Sequence, residues 1–304
     1  MVHFPVLYQE IINMLQPRSG GRYVDGTLGA GGHAFGILES SSPEGHLLGL
    51  DVDPQALTLA VQKLSPFGER VKLVQASYET LKDQLSAISW QRVDGILLDL
   101  GVSSMQLDTP ERGFSFLVDA PLDMRFDPYA PFSAKDLINS YSEQDLAEII
   151  YRYGEEKHAR QIARKIVQNR PINTTLELAN LIVGIAGGQR SKLHPATRTF
   201  QAIRIAVNNE LQALQNTLPQ AIEVLESGGR LAVISFHSLE DRIVKQYFRQ
   251  EGRDCICPPR TPICTCGHHA TIREITRQPI RPQSSEIMKN PRSRSARLRV
   301  VQKI

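Results

Sequence analysis

Apolar residues along this chain fall first at helical spacing and then in short unbroken runs. Leu7, Ile11, Met14 and Leu15 share one helical face, and Pro17 with Gly20 and Gly21 ends that helix before a strand at 22–24. Apolar runs at 46–50, 71–74 and 96–100 then alternate with helical stretches such as 54–64, where Asp53 is placed to cap and Pro54 to fill the first turn. Short apolar strands separated by helices predict a parallel sheet with crossover helices.

Beyond Leu100 the pattern changes to loops rich in Asp, Pro and Phe, followed by amphipathic helices. In one of these, Ala159, Ile162, Ala163, Ile166 and Val167 form an apolar stripe while Lys157, Arg160 and Arg164 lie on another face. That basic face reads either as ordinary solvated surface or as a surface turned to RNA. The sheet pattern resumes with a helix at 202–225, Gly228-Gly229 as its stop, a strand at 230–236 and a helix at 241–248. Residues 297–301 alternate as a closing edge strand would. The predicted fold is α/β with a Rossmann-like, mostly parallel sheet in residues 1–107 and 201–304, interrupted by a helical substrate-recognition domain at 108–200.

Composition adds limits to this picture. A chain of 304 residues exceeds the usual single core, which agrees with two lobes. No apolar run approaches the roughly 18 residues of a membrane span, and residues 1–15 lack a signal peptide's basic start and apolar stretch, so no membrane partner and a cytoplasmic location are expected. Net charge is +3, yet residues 270–304 carry nine Lys or Arg against two Glu. That basic tail is a candidate nucleic-acid contact or simply a solvated terminus. All four cysteines lie between 255 and 266, unlike a disulfide framework, and imply a reducing compartment.

The segment Asp25-Gly26-Thr27-Leu28-Gly29-Ala30-Gly31-Gly32-His33 joins the first strand to its helix, and its glycines let backbone approach a ligand at the sheet's carboxyl edge. A glycine-rich turn alone is weak support, since any tight turn uses such residues. Asp51 strengthens it: twenty residues beyond Gly31, at the end of the second strand, a carboxylate can accept hydrogen bonds from both ribose hydroxyls. A nicotinamide dehydrogenase would fit that much. Three details favour a class I methyltransferase: the acidic, glycine-alternating turn Asp25-x-Thr27-x-Gly29-x-Gly31, the strand end Asp51-Val52-Asp53-Pro54, and a further carboxylate in Leu98-Asp99-Leu100-Gly101. A carboxylate at that place suits a sulfonium cation and an amine-bearing substrate, and contributes nothing to hydride transfer.

Longer strings carry a specific resemblance. The glycine-rich segment, Asp94-Gly95-Ile96-Leu97-Leu98-Asp99-Leu100-Gly101-Val102-Ser103-Ser104, Arg112-Gly113-Phe114-Ser115-Phe116 and Pro121-Leu122-Asp123-Met124-Arg125 are similar to the RsmH (MraW) family of bacterial small-subunit ribosomal RNA (cytosine-N4)-methyltransferases. So are His194-Pro195-Ala196-Thr197-Arg198-Thr199-Phe200-Gln201-Ala202 and Ser235-Phe236-His237-Ser238-Leu239-Glu240-Asp241-Arg242. The resemblance implies S-adenosyl-L-methionine as cofactor and small-subunit ribosomal RNA, free or in the assembled subunit, as partner. It implies that Gly31, Gly32 and His33 contact the cofactor, Asp51 its ribose, Tyr78 its adenine region, and Asp99 with Gln106 its methionine end and the transfer site. Tyr78 stands where the family often has Phe. The bland readings are a half-buried core aromatic for Tyr78 and a helix cap for Asp99.

On the substrate side, His237 follows the strand at 230–236 and is read with Asp99 as catalytic, the alternative being a buried structural histidine. Asp123, Arg125, His194 and Arg198 fall on the inserted segment and are candidates for closing over a nucleotide or binding phosphate. A base reaches a donor at a sheet edge only when unstacked, so locally single-stranded RNA is the expected substrate. Cytosine C5 is disfavoured as the acceptor, because it ordinarily needs a cysteine nucleophile and no cysteine lies near the fourth or fifth strand end. The pattern Cys-x-Cys-x6-Cys-x-Cys, with His268 and His269 nearby, is compatible with Zn²⁺ but departs from the usual C-x2-C, and no metal is assigned. A zinc-stabilised RNA-binding or assembly factor with a vestigial cofactor fold is the alternative function.

Overall fold

The computed structural model describes residues 5–186, 194–258, 261 and 263–304. Two compact units make up the chain, Met1–Gly101 with Leu211–Ile304, and Val102–Glu210. The first begins with α1 (Tyr8–Leu15), β1 (Arg22–Asp25), α2 (Gly32–Ser40), β2 (His46–Asp51), α3 (Pro54–Leu64), β3 (Val71–Gln75), α4 (Leu81–Ala87) and β4 (Val93–Asp99). The second contains α5 (Ser104–Asp108), α6 (Ala134–Ser140), α7 (Glu143–Gly154), α8 (Ala159–Gln168), α9 (Thr175–Ala186) and α10 (Thr197–Asn208). The chain then runs through α11 (Glu210–Val224), β5 (Leu225–Ser235), α12 (Ser238–Glu251), β6 (Ile272–Glu274), α13 (Ser284–Lys289) and β7 (Arg297–Lys303).

The seven strands form one sheet in the order β3-β2-β1-β4-β5-β7-β6. The first five are parallel, and β7 lies antiparallel to both β5 and β6. This is the Rossmann-like sheet of class I methyltransferases. Because helices cover both faces, successive strand residues are buried on alternate sides. Val24, Leu48, Ile96, Leu98 and Val233 belong to one core cluster, and Tyr23, Leu47, Leu97, Ala232 and Ile234 to the other. Strands buried on both faces read as continuous apolar runs. Strand order reverses at β1, whose neighbours are β2 on one side and β4 on the other. Asp25, Asp51 and Asp99 are the last residues of β1, β2 and β4, at the crevice where such sheets bind ligands.

Some sequence expectations change. The helix expected at 202–225 is two helices, broken at Asn209, which adopts φ 51° in the left-handed region that Asn tolerates. Gly228-Gly229 does not stop a helix but lies inside β5, where pairing with β4 shifts register between Val93 and Gly95. Residues 297–301 are not an edge strand, since β7 sits between β5 and the three-residue β6, and its buried positions run consecutively. Asp53 caps α3 as expected, its Oδ1 accepting from the Gln55 N–H at 3.0 Å.

The second unit has its own core, built from Leu122, Leu137, Ile150, Ile162, Ile166, Leu178 and Phe200 among others. The apolar stripe of α8 is buried there while Arg160 and Arg164 stay exposed.

Part of the basic tail is structural. Arg299 is buried and its Nε donates to Asp241 Oδ1 at 2.7 Å, while Arg297 Nη1 donates to Asp241 Oδ2 at 2.9 Å. Burial works against the Asp241 charge, but the two guanidinium groups outweigh it and hold its pKa below the usual range. Arg299→Gln is therefore expected to cost about 3 kcal/mol of stability in urea denaturation, the low end for breaking a buried pair, because Arg297 remains. A variant of unchanged stability whose RNA affinity loses salt dependence would show that Arg299 meets phosphate instead.

Candidate active site

The turn after β1 is pinned between its neighbouring strands. Gly26 N–H donates to the Leu97 carbonyl and Leu28 N–H to the Leu50 carbonyl, both at 2.9 Å, so the turn extends the ladder on both sides. A Cβ on Gly26 would lie 2.7 Å from Leu98 Cδ2 and 3.1 Å from Tyr78 Cβ, so only glycine lets these groups close in. Gly31, at φ 75°, turns the chain into α2 from the left-handed region and brings Gly32 and His33 to that helix's first turn.

Asp51 is oriented by this turn. Its Oδ2 accepts from the Gly29 N–H at 2.8 Å and its Oδ1 from the Asp53 N–H at 2.9 Å. Burial raises its pKa against those two donors. Each oxygen keeps acceptor capacity for a further donor. Tyr78 opens a short turn after β3, half-buried against the core.

Asp99 and His33 carry the unmet polar capacity of the site. The Asp99 N–H donates to Thr27 Oγ1 at 2.6 Å, while the Asp99 side chain points to His33, with Oδ2 3.6 Å from Nε2. The His33 ring is buried and lies near-parallel to Tyr8, centroids 6.1 Å apart. Asp99 Oδ1 and both His33 ring nitrogens are buried with no hydrogen-bond partner among the described residues. Buried polar atoms are normally satisfied, so three orphans in one place mark a site for a polar ligand. With Asp25 and Asp51 on the neighbouring strands, the carboxylates also make it a site for a cation.

Asp25 was legible only as part of the turn motif, and the structure gives it an electrostatic role. It is buried, and its pKa is raised from 3.8 to about 7, by burial first, with the Asp99 and Asp51 carboxylates adding to it. The unfolded chain releases this proton near 3.8 and the folded chain near 7, so stability falls as pH rises through that window. Asp25→Asn, which still offers an oxygen to the Thr27 N–H, is expected to remove that slope. Urea midpoints at about pH 5 and about pH 8 test this, and an unchanged slope would assign the proton elsewhere.

The remaining predicted residues make contacts within their own units. His237 caps α12: its Nδ1 accepts from the Glu240 N–H at 3.4 Å, and Nε2 is 3.2 Å from Glu240 Oε1. Gln106 belongs to the second unit, where its Oε1 accepts from the Ser103 N–H at 3.0 Å in a capping box. Asp123 accepts from Arg125 Nε at 3.0 Å, His194 Nδ1 accepts from the Ala196 N–H at 3.2 Å, and Arg198 Nη1 donates to the Glu155 carbonyl at 3.2 Å. These contacts give all four a local structural role.

A sheet of this order with acidic ends on β1, β2 and β4 points to a methyltransferase, and the model of the MraW methylase family matches residues 1–304. The chain belongs to the MraW methylase family. Relatives of the family named ribosomal RNA small subunit methyltransferase H include a Dehalococcoides mccartyi protein 53% identical over 99% of this chain and 86% of its own length. Another, from Geotalea uraniireducens, is 52% identical over 99% of this chain and 98% of its own, and one from Thermomicrobium roseum is 50% identical over 99% and 94%. A family member with this sheet is an enzyme of the S-adenosylmethionine-dependent class.

Proposed function

We propose that the protein methylates N4 of a cytidine in small-subunit ribosomal RNA, in the cytoplasm, acting on the RNA or on the assembled small subunit. The observation that carries this reading is the orphaned, buried carboxylate oxygen of Asp99 at the end of β4. The residues present fit S-adenosylmethionine: the acidic strand ends, Asp99 foremost, suit its sulfonium, and the positive-φ glycine turn leaves room for close backbone approach. A nicotinamide dinucleotide would bring its anionic pyrophosphate to the same carboxylates, which disfavours the dehydrogenase reading.

Gly31, Gly32 and His33 would hold the cofactor at the turn, Asp51 its ribose, Tyr78 its adenine, and Asp99 with Gln106 its methionine end. When bound, the cofactor supplies a methyl group already activated by a sulfonium. The protein's own contribution is then orientation and charge. Asp99 accepts an N–H of the exocyclic amine, which favours the pyramidal nitrogen whose lone pair is free to react. His237, which follows β5 at the start of α12, is the second residue proposed to position the base. The first unit, 1–101 with 211–304, binds the donor, and the helical unit 102–210 recognises RNA.

The cysteines bear on the acceptor atom. α12 starts three residues beyond β5 and runs for 14 residues, about 21 Å, before the cysteine segment begins. No thiol is therefore at the strand ends to attack C6, as C5 methylation ordinarily requires. Incubation with labelled donor and small-subunit particles from cells lacking the activity, followed by nucleoside mass spectrometry, tests the reading. N4-methylcytidine is expected, and 5-methylcytidine or a 2′-O-methyl nucleoside would overturn it. A vestigial fold would show no donor binding by calorimetry.

A further inference from the structure

We propose that Cys255, Cys257, Cys264 and Cys266 bind one Zn²⁺ ion as a tetrathiolate site placed between α12 and β6. The four Sγ atoms lie within 4.8 Å of one another. Cys257 and Cys264 are 4.0 Å apart, Cys264 and Cys266 3.5 Å, and Cys266 and Cys255 3.9 Å. A tetrahedral ion with Zn–S bonds of about 2.3 Å sets its sulfurs about 3.8 Å apart, which is the spacing found. The separations exceed a disulfide's S–S bond of about 2.05 Å, and all four cysteines are free.

The unusual Cys-x-Cys spacing has a geometric explanation. Side chains at i and i+2 of an extended segment point to the same side, so each pair offers two thiols in one direction. The pairs face each other in antiparallel register, Cys255 opposite Cys266 and Cys257 opposite Cys264. Backbone N–H groups support the sulfurs from outside: Ile256 N–H donates to Cys266 Sγ and Thr265 N–H to Cys257 Sγ, each at 3.5 Å. Such donors stabilise thiolates and orient them as ligands. The cluster of ligand atoms holds the four cysteines and not His268, whose Nε2 donates to the Gln250 carbonyl at 3.1 Å.

Nothing else among the described residues of the segment explains the convergence. Cys255, Cys264 and Cys266 are exposed, and so are Ile256 and Ile263, so apolar burial does not gather these side chains. Four soft ligands around one point select zinc over harder ions. A multi-iron cluster would hold its thiolates farther apart than one shared ion does. α12 also separates this point from the carboxylates at the strand ends, so the ion is structural and has no part in methyl transfer.

Metal analysis of the full chain, purified under reducing conditions without chelator, is expected to find about one zinc per chain. Metal-free chain titrated with Co²⁺ should give the ligand-field and sulfur-to-cobalt charge-transfer bands of a tetrahedral thiolate site. The double variants Cys255→Ser/Cys266→Ser and Cys257→Ser/Cys264→Ser should each lose the metal at least about tenfold while binding S-adenosylmethionine as the parent does, which shows that the sheet is folded. The proposal is overturned if the parent chain neither carries zinc nor gives thiolate bands with Co²⁺. Metal retained in both double variants, or mapped disulfides in the reduced protein, would overturn it equally.

Discussion

Replacing Asp99 by alanine is expected to lower the single-turnover rate of methyl transfer by about 10²- to 10³-fold, the usual effect of removing one preorganised charge partner, while RNA binding survives. The structural ground is the division of labour within this residue. Its backbone N–H donates to Thr27 Oγ1 and holds the end of β4 to the turn, a bond that alanine keeps. Its side chain has one oxygen without a partner and the other 3.6 Å from His33, so truncation breaks no hydrogen bond that supports the fold. Removing it also takes one like charge away from Asp25, whose pKa should fall. The variant is thus expected to be folded and slow, which rapid-quench transfer assays on small-subunit particles alongside filter binding would show. Full activity in a folded Asp99→Ala protein would remove this carboxylate from the reaction.

The sheet was legible because strands buried on both faces leave apolar runs, and their ends are marked by Asp25, Asp51 and Asp99. β6 was not legible, since three residues, Ile-Arg-Glu, show no period, and missing it made β7 look like the edge. The break at Asn209 leaves no mark in the sequence pattern because apolar spacing continues through it, and only φ distinguishes one helix from two. The pairing of Arg299 with Asp241 spans 58 residues, so the sequence showed a basic tail and not the buried partner that uses it. At the site, residue types and strand ends were readable, but the proton on Asp25 and the orphaned atoms of His33 and Asp99 depend on burial, which only the packed chain determines. The cysteines are a similar case: spacing argued against a knuckle, and the antiparallel register that brings them together appears only in the fold.

Asp51→Ala is expected to weaken S-adenosylmethionine binding by about 10²-fold or more, since two charge-assisted contacts to a ribose contribute about 1.5 to 3 kcal/mol each. Alanine also frees the N–H groups of Gly29 and Asp53, so part of that loss reflects a loosened turn. Asp51→Asn narrows the difference, because it keeps the side-chain volume and one carbonyl acceptor, so that one N–H is freed and not two, while removing the charge. Burial raises the Asp51 pKa, so the charged carboxylate costs folding free energy at pH above its unfolded value, and that cost disappears in Asp51→Asn. The asparagine variant should therefore unfold at an equal or higher urea concentration than the parent near pH 8, and still bind the donor more weakly by calorimetry. A stabilised fold with a weakened ligand is what a residue held against its own electrostatics for binding would give. If Asp51→Asn loses stability and donor affinity together, the carboxylate acts as a brace for the turn. Unchanged affinity in both folded variants would take Asp51 out of the cofactor site altogether.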